Sequence, residues 1–215
     1  MTTDRRAFLG ASLFAATGAK LSRIDAHPAP QSSEWDVSWA ARVQGAQFRA
    51  VFDSPEIADG LALFRATGWC NQYREVYGTQ RSAMAPVVVL RHNGIHLVMN
   101  DEYWKRFKIA KEFKVKSLMG KGVDVNPVAT PQADAPPPFA GVSIPKFLSD
   151  GGVVLACNWA FADVVAKYQA ADKLDDAAAS TAAKSQMIPG VIMQPSGVFA
   201  VLRAQEAGAQ YMIAS

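Results

Sequence analysis

The chain has 215 residues, 50% of them hydrophobic and 19% charged, which is enough apolar material for a folded core and rules out wholesale disorder. Lys and Arg number 22 against 19 Asp and Glu, and a formal charge of +3 argues against the dense basic face of a nucleic-acid binder. Two cysteines are too few for a disulfide scaffold or a four-thiolate zinc site, and 15 Gly with 12 Pro exclude collagen-like and low-complexity classes.

The first residues read as an address. Asp4-Arg5-Arg6-Ala7-Phe8-Leu9 precedes a short apolar run, Ala11 to Ala16, that is too short to span a bilayer. The order Arg5-Arg6-x-Phe8-Leu9 matches a twin-arginine export signal, which a receptor reads and which is not an anchor. Residues 1–26 are therefore expected to be a signal peptide, with Ala19 and Ala26 as candidate cleavage points, and the protein to be periplasmic or otherwise exported. A cut after Ala26 removes Arg5, Arg6, Lys20 and Arg23 against Asp4 and Asp25, which takes the charge from +3 to +1. No later apolar run reaches membrane length, so no stable membrane insertion is expected after processing.

Residues 27–46, rich in Pro, Ala and Ser at their start, read as a tether to a domain over 47–215. Phe48 to Phe52 is strand-like. Asp53-Ser54-Pro55-Glu56 then predicts a helix start, with Ser54 as cap and Ile57, Leu61 and Phe64 on its apolar stripe. Pro86 to Leu90 is an apolar, β-branched run of the kind buried on both faces of a sheet, broken by Arg91-His92-Asn93-Gly94. Asp101 to Lys116 predicts a basic helix with Tyr103, Phe107 and Ala110 on one stripe. Gly120 to Gly141 reads as a long surface excursion, followed by a short helix over Ile144 to Ser149. Gly152 to Ala156 is a second buried-type strand that ends at Cys157. Helices follow, one marked by Phe161, Val164, Val165 and Tyr168, the other over Leu174 to Met187. Pro189 to Gln194 predicts a strand, Ser196-Gly197 a turn into a helix carrying Val198, Val201 and Leu202, and Gln210 to Ile213 a last strand.

Short apolar strands alternating with amphipathic helices predict a single-domain α/β three-layer sandwich with a mainly parallel sheet. Ligands bind such sheets beyond the carboxyl ends of the strands. That rim receives Asp53 and Ser54, then Arg91, His92 and Asn93, then Cys157 and Asn158, then Ser196 and Gly197. Cys157 is the candidate nucleophile, because it precedes a helix whose first N–H groups stabilise negative charge; its other reading is a small buried hydrophobe. His92 is the candidate base or ion partner, or else a loop histidine bonded to backbone. Asp53, Ser54, Asn93, Asn158, Ser196 and Gly197 are candidate ligand contacts, with capping as the alternative role for Asp53 and Ser54.

No cofactor is expected. Ser196-Gly197 lacks the further glycines of a dinucleotide or P-loop fingerprint, and no Gly-x-Ser-x-Gly elbow occurs. His92 and His96 have helical metal-ligand spacing, but Gly94 interrupts it and no third ligand stands nearby, so no metal is expected either. A Cys70–Cys157 disulfide is not expected, and Trp159 is read as core packing.

Two segments carry a resemblance. Gly152-Val-Val-Leu-Ala-Cys157-Asn158 and the ending from Pro189 through Ser196-Gly197 to Gln205-Glu206-Ala207-Gly208 resemble the DsrE/DsrF-like family of small α/β proteins. Asn126-Pro127 resembles an element of an exported subgroup. The resemblance spans about Phe48 to the C-terminus. It implies a flavodoxin-like layered fold, a homo-oligomer, and at Cys157 the position where some members carry a persulfide. It therefore implies a sulfur-carrier or thiol-redox protein with a sulfur-donor or acceptor partner. The alternative from another class is a non-enzymatic protein that binds a small ligand or assembles, with Cys157 structural.

Overall fold

The computed structural model describes residues 34–131 and 135–215. The predicted signal over 1–26 and the start of the tether lie outside the described residues. Five strands form one sheet: β1 (Phe48–Ser54), β2 (Met84–Leu90), β3 (Val153–Cys157), β4 (Ile192–Gln194) and β5 (Gln210–Ile213). All four pairings are parallel and the spatial order is β4-β3-β2-β1-β5. The expected three-layer α/β sandwich with a parallel sheet is therefore the observed architecture.

Both faces of the sheet are covered, which is why β2 and β3 do not alternate in sequence. Val88, Leu90, Val154 and Ala156 point into one core, together with Phe52, Leu63, Trp104 and Phe161. Val87, Val89, Val153 and Leu155 point into the other, with Trp39, Val43, Ala200 and Ala204. Val88 and Val154 are fully buried in the central strands, as their runs predict. Pro86 is tolerated within β2 because β3 pairs with β2 only from Val87 onward, so no ladder bond on that side is lost.

The helices divide by the direction of each crossover. The links β1→β2→β3→β4 all step the same way across the sheet and cover one face, through α2 (Leu61–Tyr77), α3 (Asp101–Phe107), α4 (Ile109–Glu112), α5 (Ile144–Ser149), α6 (Asn158–Asp172) and α7 (Asp176–Ser185). The link β4→β5 steps back across the whole sheet, so its helix, α8 (Gly197–Glu206), lies on the opposite face with α1 (Trp39–Gly45). Right-handed crossovers require this division.

Several sequence expectations are corrected here. The segment read as a tether to residue 46 contains α1, whose Trp39, Ala40 and Val43 are buried. The helix expected from Ser54 begins only at Leu61, after a 3-10 turn at Ala58–Gly60; Asp53 and Ser54 instead finish β1. Its buried face is Ala62, Leu63, Ala66 and Cys70, not the Leu61/Phe64 stripe. The basic helix breaks at Lys108, whose positive φ separates α3 from α4. The 120–141 excursion is anchored to the core and not wholly superficial. The Asn126 amide is 3% exposed; its nitrogen donates to the carbonyls of Leu97 and Met99 at 2.7 Å each, and its oxygen accepts from the Val128 N–H at 3.0 Å.

Candidate functional site

In an open parallel sheet the ligand crevice lies where neighbouring strands send their connections to opposite faces. Here that point falls between β3, which leads into α6, and β4, which leads into α8 on the other face. The flavodoxin order 2-1-3-4-5 would put it between its first and third strands. Reordering the sheet moves the crevice to the end of Cys157, whose register partner is Gln194.

Two helices start at this crevice. Cys157 is the N-cap of α6, and its Sγ accepts the Ala160 N–H at 3.4 Å. Ser196 is the N-cap of α8, and its Oγ accepts the Phe199 N–H at 3.0 Å. The free N–H groups of both first turns give the crevice a positive potential. Cys157 is 5% exposed and is a free thiol, as is Cys70. A cavity of about 500 Å³ opens between the Glu34–Trp35 segment and α6–α7; Asn158, Phe161, Lys184 and Met193 contribute to its lining and Cys157 does not. The Glu34–Asp36 strand of backbone is strapped across this end of β4 by Gln194, whose amide nitrogen donates to the Asp36 carbonyl at 2.7 Å.

The strongest polar feature of the rim is one the sequence reading did not choose. Arg91, the first residue after β2, forms a bidentate pair with Asp53 at the end of β1, with Nε–Oδ1 at 2.8 Å and Nη2–Oδ2 at 2.9 Å. The Tyr211 hydroxyl on β5 donates to Asp53 Oδ2 at 3.0 Å. The bond to Asp53 holds the Arg91 guanidinium above its ordinary pKa, and Cys157 lies close enough to contribute in the same direction. The stem of Arg91 runs under the first turn of α8. A Cβ on Gly197 would sit 2.6 Å from both its Cβ and its Cδ, so only glycine fits there. A buried Asp two residues before a turn and an Arg directly after the next parallel strand were the available signal; the side-by-side order of β1 and β2 is what joins them.

The other predicted residues take these places. His92 is exposed, has φ 44°, and makes no hydrogen bond to Cys157. Asn93 donates to Glu56 Oε2 at 2.9 Å and so ties the loop after β2 to the loop after β1, while Ser54 donates to the Glu56 carbonyl at 2.8 Å within the latter. Trp159 is 72% exposed and is not core. His96 is buried, with Nδ1 2.9 Å from the Tyr103 hydroxyl. Burial lowers its pKa from 6.5 to about 4. Among the described residues no group of three or more His, Cys, Asp or Glu side chains is arranged to hold a metal ion, and no helix is long and apolar enough to cross a membrane.

Fold and site together define an α/β layered protein with a free thiol and a carboxylate-held arginine at the carboxyl rim of a parallel sheet. No family model and no curated protein matches the chain. Among solved structures, a protein of unknown function from Methanobacterium thermoautotrophicum is similar at 16% identity and a TM-score of 0.40, over 77% of this chain and 98% of that one.

Proposed function

We propose that this is an exported DsrE-like protein that carries sulfur, or exchanges thiols, at Cys157. The observation that supports the reading most is the position of a free thiol at the β3/β4 crevice, as N-cap of α6, in the field of Arg91. In the transfer step the Cys157 thiolate attacks the sulfane sulfur of a donor persulfide, R–S–SH. The donor S–S bond breaks, a new Sγ–S bond forms, and R–S⁻ leaves, so charge and atoms balance. The two helix N-termini and Arg91 stabilise negative charge on the sulfur before and after the step. Export is supported by the Arg5-Arg6-x-Phe8-Leu9 order.

The test is iodoacetamide labelling and intact mass of the folded protein at neutral pH, with and without a low-molecular-weight persulfide. Cys157 is expected to take the label and the extra sulfur, and Cys157→Ser to lose both while staying folded. Cys70→Ser should change neither, since burial pushes the Cys70 thiol up to about 11. Labelling of Cys157 only after unfolding refutes the reading.

A second reading has its own support: the low exposure of Cys157, and the apolar side chains Val198, Leu202, Tyr211, Met212 and Ile213 that α8 and β5 leave open. In it the protein is a non-enzymatic binding and assembly module that pairs with a second copy through that face. Sedimentation velocity of Leu202→Glu against the parent chain tests that face, where an unchanged oligomeric state refutes the second reading, and the labelling of Cys157 separates the two.

A further inference from the structure

The opposite, amino-terminal rim of the sheet carries a second polar site, independent of the thiol. A cavity of about 270 Å³ lies between the last turns of α2, the segment entering β2 and the α5–β3 turn. Asn71, Arg74, Gln80, Arg81 and Lys146 offer donors to it. Arg81 also faces an adjoining cleft of about 400 Å³, where Arg42 approaches. The Arg42 guanidinium lies against the backbone of Gly151, with Nη2 2.9 Å from where a Cβ would stand; Gly151 has φ +82°.

The charges do not balance. Asp150 lines both cavities and is engaged by Lys146, which leaves the arginines in excess. Among the described residues no carboxylate forms an ion pair with Arg42, Arg74 or Arg81. Cys70, in the wall of the cavity, is 4% exposed and neutral at physiological pH, so it supplies no anion. Burial and then the nearby Arg81 hold Arg42 below its ordinary pKa. Two arginines on one cavity, with a third on the adjoining cleft, fit an oxyanion, which a guanidinium can bind through two N–H donors.

We propose that this rim binds the phosphate group of a small phosphomonoester or free phosphate, held by Arg74 and Arg81 with Arg42 at its edge. The volume lies just below the usual range of small-molecule sites, which suits a compact ligand and not a dinucleotide. The site shares no residue with the Cys157 rim, so it stands or falls separately from the sulfur reading.

The experiment is calorimetric titration of the full chain with inorganic phosphate and with glycerol 3-phosphate, each against sodium chloride at matched ionic strength. Saturable binding of either probe is expected, weakened at least tenfold by Arg74→Gln. That residue is exposed on α2, so its loss leaves the core intact. Arg81→Gln should do the same, and far-ultraviolet circular dichroism checks its fold because Arg81 also donates to the Met84 carbonyl. A tighter monoester identifies an esterified ligand, and equal affinities identify the free anion. Heat no greater than the chloride control for both probes, or unchanged affinity in the folded Arg74→Gln protein, overturns the proposal.

Discussion

Replacing Arg91 with Met keeps most of the side chain's stem under Gly197 but removes its charge. Asp53 is 2% exposed, so in the variant a carboxylate remains below the surface with only the Tyr211 hydroxyl to compensate it. Breaking a buried pair from one side costs about 3–5 kcal/mol, whereas replacing both partners together is often close to neutral. Arg91 has a partly exposed side chain, at 22%, which sets the expectation at the lower end, about 3 kcal/mol. Against a typical domain stability of roughly 5–15 kcal/mol that is a large fraction. Urea unfolding followed by tryptophan fluorescence should thus show a clear fall in midpoint for Arg91→Met, and a recovery of at least half of it in Arg91→Met/Asp53→Asn. A single variant within about 0.5 kcal/mol of the parent, the scale of an ordinary surface substitution, would refute the reasoning. So would a double variant no more stable than the single, because the cost would then not come from an orphaned carboxylate.

Three more outcomes follow from the same structure. His96 is held neutral by burial, with a folded pKa of about 4 against 6.5; the unfolded chain binds the extra proton first, so stability should fall as pH drops from 6.5 to 4, by about 3 kcal/mol in all, and level off below that. Unfolding curves at stepped pH check this, and a His96→Gln protein should lack that dependence. Gly197→Ala should cost about 1–3 kcal/mol by pressing on the Arg91 stem, despite the better helix propensity of alanine, and thermal melts will show the sign. Arg5→Lys/Arg6→Lys should leave precursor in the cytoplasm on fractionation and immunoblotting, and normal export would refute the twin-arginine signal.

The layers were legible because the runs at Pro86–Leu90 and Val153–Ala156 are apolar at every position, short and rich in β-branched residues, as strands covered on both faces are. Connectivity alone then set Cys157, His92 and Ser196 on one rim. Lateral order was not legible: nothing in the chain states that β5 returns to β1, so the contact of Tyr211 with Asp53 and the crevice at β3/β4 were out of reach. The helix misplaced at Ser54 had a full set of cap signals, yet the Ser54 hydroxyl is spent on the Glu56 carbonyl, and a 3-10 turn intervenes before Leu61. In the sequence Arg91 stands at the rim beside His92, and nothing local to it marks a partner. Its pairing with Asp53 depends on β1 and β2 lying side by side, which spacing along the chain cannot reveal.

The return of β5 to the far edge of the sheet also dictates how the molecule is built. β1 emerges early, yet one of its two neighbours arrives only after the rest of the domain has been made: Asp53 and Tyr211 are 158 residues apart in sequence. Until then β1 is an open edge with unpaired backbone groups, and the carboxylate at its end has only Arg91. Local pairings of β1 with β2 and β2 with β3 can form first, while closure by β5 is a late, long-range event that slows folding. A chain interrupted before Gln210 would therefore hold a nearly complete core beside a raw strand edge, the kind of template on which partly made chains aggregate.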